Sequence, residues 1–112
     1  MKRVATLCVA AFLLSSCGGE PTVREDRMVS IGAHQLHIVC DGSGAPSVVL
    51  DSSLGQSAAD WWPIVERLSP HTRVCAYDRA GYGQSDPGPF PRDSRTVARK
   101  FRALVEAAGA VR

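Results

Sequence analysis

The chain has 112 residues, of which 45% are hydrophobic, and a formal net charge of +2. All 11 acidic residues follow Cys17, and only Lys2 and Arg3 of the basic residues precede it, so the charges after residue 16 cancel. This balance argues against nucleic-acid binding, which needs a basic patch. The length permits one small domain. The His residues are scattered and no C-x-x-C pair occurs, so we expect no metal and no cofactor.

Residues 1–16 have the features of a signal peptide. Two basic residues precede an apolar run over residues 4–14, which is too short to cross a bilayer. The run ends in Leu-Ser-Ser-Cys, which resembles the bacterial lipobox. The resemblance implies that Cys17 is acylated and anchors an exported lipoprotein to a lipid bilayer, on the periplasmic or extracytoplasmic face. An ordinary secretory signal with a chance cysteine is the alternative. Residues 17–27 are expected to form a tether.

The next segments have the character of strands. Residues 23–30 and 35–39 lie on either side of Gly32, and the second segment alternates in polarity, which predicts a β-hairpin. Residues 47–50, Ser-Val-Val-Leu, form a short and continuously apolar run. Such a run predicts a strand that is buried on both faces, as in a parallel sheet.

Two helices are predicted on either side of another buried strand, at residues 72–77. Apolar residues recur every three or four positions over residues 58–68 and again over residues 95–108. Asp93 or Ser94 can cap the second helix. A strand, a helix and a strand in this order imply a parallel pair with a right-handed crossover, which is the beginning of an open α/β sheet.

A specific motif follows the last predicted strand. Residues 77–86 are Y-D-R-A-G-Y-G-Q-S-D, which resembles the D-R-x-G-x-G-x-S loop after the fourth strand of α/β-hydrolases. The order of the elements over residues 28–110 is similar to that family as well. The resemblance implies an α/β fold in residues 28–112, namely the incomplete N-terminal half of an α/β-hydrolase sheet: a β-hairpin, then β-α-β-α.

The same resemblance implies a site in the loop after the third strand. In the family this loop supplies a backbone N–H of the oxyanion hole. Residues 51–55 occupy that place, and the register assigns the N–H to Leu54. Many relatives have a glycine directly before the donor, whereas this chain has Ser53, which resists backbone angles that glycine allows.

Ser57 is a tempting nucleophile that we interpret differently. Gly-Gln-Ser-Ala-Ala is one residue short of the G-x-S-x-G nucleophile elbow, because Ala59 replaces the last glycine. An elbow serine directly follows its strand, whereas a loop separates Leu50 from Ser57. We therefore expect Ser57 to cap the helix that begins near Ala58.

The glycine-rich motif itself invites two further readings that we reject. Residues 81–86 begin like a dinucleotide-binding G-x-G-x-x-G, but Asp86 replaces the third glycine. Asp78 precedes the place where the family has its catalytic acid, which comes after the nucleophile. We expect Asp78 to accept hydrogen bonds from its own loop.

Cys40 and Cys75 remain after Cys8 and Cys17 are assigned to the leader and the lipid site. In the family the second and fourth strands are neighbours, so the resemblance allows a disulfide between Cys40 and Cys75 in an oxidising compartment. Two buried free cysteines are the alternative.

The resemblance implies that the chain ends before the strand that leads to the nucleophile. We therefore expect an N-terminal fragment of a membrane-anchored serine hydrolase, in which nucleophile, acid and His are absent and which is inactive alone. It would cleave a small ester-like substrate through an acyl-serine intermediate only when the fold is completed. The alternative is a small non-catalytic lipoprotein that binds or scaffolds. A self-sufficient module unfolds cooperatively, whereas half a fold aggregates or is molten.

Overall fold

A computed structural model describes residues 24–110 of the chain. The predicted signal peptide, Cys17 and most of the predicted tether lie outside the described residues. The described part contains β1 (Glu25–Ser30), β2 (Gln35–Asp41), β3 (Val48–Asp51), a 3₁₀ helix (Ala58–Trp61), α1 (Trp62–Leu68), β4 (Val74–Tyr77) and α2 (Ser94–Ala107). The predicted order, a β-hairpin followed by β-α-β-α, is confirmed.

The strands form a single mixed sheet in the order β1-β2-β4-β3. β1 and β2 are antiparallel, and so are β2 and β4, whereas β3 and β4 are parallel. The connection between the parallel strands runs through the 3₁₀ helix and α1, as expected for a crossover that places a helix on one face of the sheet.

β1 begins at Glu25, inside the segment expected to be a tether. Glu25 pairs with Cys40 across the hairpin, and the Arg73 guanidinium donates to the Glu25 carboxylate at 3.2 Å. β1 is an edge strand in which only Val29 is buried. The hairpin predicted from residues 23–30 and 35–39 includes this strand, although its polar sequence gives little hydrophobic signal.

The two faces of the sheet carry separate hydrophobic cores, because alternate side chains of a strand point to opposite faces. One core lies between the sheet and α2, and the other lies between the sheet and α1. The first contains Leu36, Ile38, Cys40, Cys75 and Tyr77 of the strands with Leu104, Val105 and Ala108 of the second helix and its end. The other contains Val74 and Ala76 with Val65 and Ala58, and Trp61 packs against it.

β3 differs from its predicted environment. The sequence predicted burial on both faces, yet Val48, Val49 and Leu50 are only half-buried. β3 lies at the edge of the described sheet and pairs only with β4. An apolar run of this kind is typical of a strand with neighbours on both sides.

Hydrogen bonds at both ends of α2 determine where this helix begins and ends. The Thr96 backbone N–H donates to the Asp93 carboxylate at 2.7 Å, so Asp93 is the N-cap, and this bond lowers the pKa of Asp93. At the other end Gly109 has a φ of +61°, and Ala110 N–H donates to the Val105 carbonyl at 3.1 Å. This geometry closes the helix in a left-handed turn that favours glycine. Within residues 24–110, no helix is both long and apolar enough to cross a membrane.

Candidate active-site edge

The carboxyl ends of the two parallel strands meet at one edge of the sheet. Asp51 at the end of β3 is in register with Tyr77 at the end of β4. The loops that begin at Ser52 and Asp78 therefore start side by side. In open α/β sheets this edge is where ligands bind.

The loop after β3 contains a tight turn over residues 53–56. Gln56 N–H donates to the Ser53 carbonyl at 3.2 Å, and the Gln56 side-chain oxygen accepts from Ser53 N–H at 3.2 Å. Gly55, the third residue of the turn, has a φ of +80°. A positive φ at this position defines a type II turn and favours glycine. Ser53 does not need a positive φ, so the turn forms without the glycine that many relatives have there.

Leu54 is the second residue of this turn, and its side chain is 75% exposed. Among the hydrogen bonds of residues 24–110, none uses the Leu54 backbone N–H. The N–H is therefore free to donate to a ligand. The turn is held at its base, since the buried Ser52 hydroxyl donates to the Ser57 carbonyl at 3.1 Å.

A charged cluster joins the ends of β3 and β4. Asp51 accepts from the Tyr77 hydroxyl at 2.8 Å and from two nitrogens of Arg79 at 2.8 and 2.5 Å. The Arg79 guanidinium and the Tyr77 hydroxyl together hold the pKa of Asp51 below its ordinary value. Burial and the neighbouring Asp51 carboxylate raise the pKa of Tyr77. Tyr77 therefore stays protonated and serves as a donor within this cluster.

The carboxylate of Asp78 links three separate segments of the chain. It accepts from Ala58 N–H at 2.6 Å, from Gln84 N–H at 2.9 Å and from the ring of His37 at 2.8 Å. Asp78 is 2% exposed, so this buried charge is fully surrounded by donors. The prediction that Asp78 accepts hydrogen bonds from its own loop is confirmed by the bond from Gln84. The bonds from Ala58 and His37 extend that role beyond the loop.

The rest of the motif after β4 is also tied to β2. The Ser85 hydroxyl donates to the Asp78 carbonyl at 2.6 Å and accepts from His37 N–H at 2.8 Å. Asp86 accepts from Gln35 N–H at 2.8 Å through its carboxylate. The polar residues of the motif thus attach the loop after β4 to β2. These hydrogen bonds fix the position of the loop at the edge of the sheet.

His37 is a central residue that the sequence analysis missed. Its Nδ1 lies 2.8 Å from Asp78, which is 41 residues away, and its Nε2 lies 2.8 Å from Asp26. Burial of His37 disfavours its charged form, but the carboxylates of Asp26 and Asp78 outweigh this and raise the pKa of His37. Only a protonated imidazole can donate at both nitrogens. No local sequence pattern around His37 predicts this role, because strand pairing brings its partners Asp26 and Asp78 beside it.

Ser57 lines the same pocket as His37 and Asp78 but makes no hydrogen bond to either residue. Ser57 occupies the N-cap position of the 3₁₀ helix, as predicted, and its backbone N–H donates to the Asp60 carboxylate at 2.7 Å. The Ser57 hydroxyl lies 3.4 Å from the same carboxylate, and both ring nitrogens of His37 face other carboxylates. The Asp60 carboxylate already accepts from the Ser57 backbone N–H, and no free imidazole faces the hydroxyl, so this arrangement lacks the serine–histidine pair that activates a nucleophile.

The remaining predicted site residues are the cysteines. Cys40 and Cys75 are opposite each other in β2 and β4, and their sulfur atoms are bonded at 2.10 Å. This disulfide is buried in the core between the sheet and α2. The predicted lipidation site Cys17 lies outside the described residues. In the part of the chain that the structure describes, no group of three or more His, Cys, Asp or Glu side chains is arranged to hold a metal ion.

Comparison with known proteins agrees with this geometry. No protein-family model matches the chain. The chain is 33% identical over 78 residues to the RutD protein of Azorhizobium caulinodans, which is provisionally assigned as a carbamate hydrolase; the match covers 70% of this chain and 29% of RutD. It is 34% identical over 79 residues to the soluble epoxide hydrolase of Corynebacterium sp. strain C12, covering 70% of this chain and 27% of that protein.

A solved structure gives the same result. The enol-lactonase of Burkholderia xenovorans LB400 superposes with a TM-score of 0.69 and 30% sequence identity, covering 74% of this chain and 33% of the enol-lactonase. The described chain has the fold of the N-terminal part of an α/β-hydrolase, and its relatives and structural neighbours are proteins of that fold. The chain spans less than a third of the length of the curated relatives named above.

The close approach of Gly83 to Asp78 generates a prediction about stability. A Cβ at Gly83 would overlap the Asp78 carboxylate, and Gly83 has a φ of +50°. We expect Gly83→Ala to lower the free energy of unfolding by about 1–3 kcal/mol more than a backbone effect alone, because the buried carboxylate has no room to move. Gly32→Ala is the matched control, since Gly32 also has a positive φ but open space around it. Urea denaturation of both variants measures the difference, and equal losses would contradict the role given to Asp78.

The double pairing of His37 predicts a pH dependence. A raised pKa in the folded state stabilises the protein only while His37 is protonated. The contribution is therefore complete below about pH 6.5, the ordinary value for histidine, and is lost as the pH rises through the folded-state value. We expect this loss of stability in the wild type. The control variant His71→Gln should show it as well, because His71 is exposed. The slope should be absent in His37→Gln when denaturation is followed as a function of pH; a slope retained there would assign it to another group.

Proposed function

We propose that residues 24–110 are the N-terminal part of a serine hydrolase domain that cleaves an ester or a related bond through an acyl-serine intermediate. The observation that carries this proposal is the free Leu54 N–H, held in a type II turn at the edge where the parallel strands end. In this proposal the nucleophile, the acid and the His come from a segment outside the described residues. We therefore expect residues 24–110 to be inactive by themselves.

The proposed role of Leu54 follows from the chemistry of acyl transfer. Attack on a substrate carbonyl moves negative charge onto the carbonyl oxygen, and a fixed N–H that points at that oxygen stabilises the charge. The hydrogen bonds between Ser53 and Gln56 hold the Leu54 peptide before substrate binds, so little reorganisation is needed. In this fold a second donor is the residue after the nucleophile.

The charged cluster of Asp51, Tyr77 and Arg79 supports this role by fixing the two strand ends. Arg79 holds Asp51 in its ionised form, and Tyr77 remains protonated. Neither residue is a free acid or base at neutral pH. We propose that the cluster positions the loop that carries Leu54 and takes no part in proton transfer.

We also propose that the protein is exported and anchored to a membrane through acylated Cys17. The support is the sequence alone: a basic start, an apolar run over residues 4–14 and Leu-Ser-Ser-Cys at its end. Two or three acyl chains on one cysteine hold a protein firmly at a bilayer surface.

The catalytic proposal is tested first at the level of the gene and then by mutation. We expect the DNA that follows codon 112 to encode G-x-S-x-G within about 30 codons in one of the forward frames. In the protein extended to include that segment, Leu54→Pro removes the N–H and should lower kcat/KM for a p-nitrophenyl ester by about 10²–10³. Absence of the motif in every frame would refute the proposal.

Two further variants serve as controls for the same assay. Leu54→Ala keeps the backbone N–H and should retain most of the activity. Ser57→Ala should also retain activity, because no imidazole is available to the Ser57 hydroxyl: both ring nitrogens of His37 face carboxylates. Loss of activity in Ser57→Ala with retained folding would instead identify Ser57 as the nucleophile.

The anchoring proposal predicts different behaviour for two cysteine variants. We expect the wild type to incorporate labelled palmitate and to partition into the detergent phase of Triton X-114. Cys17→Ser should lose both properties, whereas Cys8→Ser, which changes a cysteine within the predicted signal peptide, should keep them. Labelling that survives in Cys17→Ser would contradict acylation at this residue.

A further inference from the structure

A small cavity lies between the loops after β3 and β4 and the first turns of α2. Its volume is ≈ 40 Å³, enough for one small polar group. Leu54 of the loop after β3 and Val97 of α2 both line it. The cavity is therefore lined by the residue whose N–H we propose as an oxyanion donor.

Three cationic side chains line this cavity: Arg79, Arg92 and Lys100. Arg79 is neutralised by its ion pair with Asp51. Among residues 24–110, no carboxylate lies within 4.0 Å of the charged nitrogens of Arg92 or Lys100, and no acidic side chain lines the cavity. Two of the residues that line the cavity are thus cationic and have no counter-ion in the described part of the chain.

The loop after β4 leaves space for both cationic groups. A Cβ at Gly81 would lie 2.7 Å from an Arg92 guanidinium nitrogen, and a Cβ at the buried Gly88 would overlap the Lys100 ammonium. Any larger residue at either glycine would have to displace the charged group. The Arg92 guanidinium also lies over the Phe90 ring, 4.8 Å from its centre. Stacking on an aromatic face orients a guanidinium while leaving its N–H groups free to donate.

The rest of the cavity wall is mainly apolar and includes Leu36, Ala80 and Val97. A small anion-binding point beside apolar surface suits a carboxylate that is attached to an aliphatic or aromatic group. A guanidinium binds a planar carboxylate through two parallel N–H donors, and an ammonium adds a point charge. The apolar wall favours an organic carboxylate over inorganic phosphate, because the group attached to the carboxylate can contact that wall.

We infer that this cavity is a subsite for a carboxylate group of the ligand, bound by Arg92 and Lys100. The inference rests on the proposed function only in treating that ligand as the substrate, which would then be an ester that also carries a free carboxylate. Such a substrate would be held with its anionic end at Arg92 and Lys100 and its reacting carbonyl towards Leu54.

The test is a binding measurement on the full chain that needs no turnover, so it is independent of whether the chain catalyses hydrolysis. Hexanoate and its neutral analogue hexanamide are titrated while backbone amide resonances are followed by NMR. We expect saturable shifts around Leu54 and Val97 with hexanoate, and affinity for hexanamide lower by about tenfold or more, because the charged contacts are lost. Equal binding of the two compounds, or no binding of hexanoate, would overturn the inference.

Variants then locate the site. Arg92→Gln combined with Lys100→Gln should weaken hexanoate binding by about tenfold or more. Arg95→Gln, which removes a nearby exposed charge that does not line the cavity, should leave the affinity unchanged. If Arg95→Gln weakened hexanoate binding as much as the double variant, the binding would reflect general attraction by positive charge, and the inference would be wrong. Inorganic phosphate that binds as tightly as hexanoate would refute the assignment to a carboxylate.

Discussion

The buried carboxylate of Asp78 is the interaction on which the arrangement of this domain depends. Three donors from distant parts of the chain converge on it: the start of the 3₁₀ helix, the loop after β4 and His37 on β2. A buried charge is costly unless it is surrounded by hydrogen-bond donors, so the three segments must meet in one geometry for the domain to fold. The Gly83 backbone lies so close to the carboxylate that a side chain does not fit.

The consequence of this constraint is a rigid platform at the carboxyl ends of the parallel strands. Asp78 fixes the start of the helix that follows the loop after β3, and Ser85 and Asp86 fix the loop after β4 to β2. Between them the cluster of Asp51, Tyr77 and Arg79 joins the strand ends. The motif after β4 is therefore structural: it holds in place the start of the helix that follows the Leu54 turn.

The type II turn shows how one local geometry can be reached with different residues. The expected glycine before Leu54 is replaced by Ser53, yet the positive φ that the turn needs occurs at Gly55. The hydrogen bonds between Ser53 and Gln56 then stabilise the turn. Leu54 and the cationic residues Arg92 and Lys100 line the same cavity. In our proposal the oxyanion donor and the carboxylate subsite therefore share one sheet edge.

Local patterns were sufficient to predict the order of the elements and the fold class. The apolar runs of β3 and β4, the helical periodicity of α2 and its cap at Asp93 all appear in consecutive residues, because they depend on contacts within one segment. The same patterns showed that Ser57 begins a helix, since its distance from the preceding strand and the missing glycine are local features.

What the sequence did not determine are the features that depend on pairing between distant strands. His37 and Asp26 become partners of one another only through the register of β1 with β2, and Asp78 joins them only through the register of β2 with β4. The half-buried state of β3 likewise follows from its position at the edge of the described sheet. Sheet registry brings together residues that no sequence window contains, and for that reason only the tertiary structure decided where the buried charges and the cationic cavity lie.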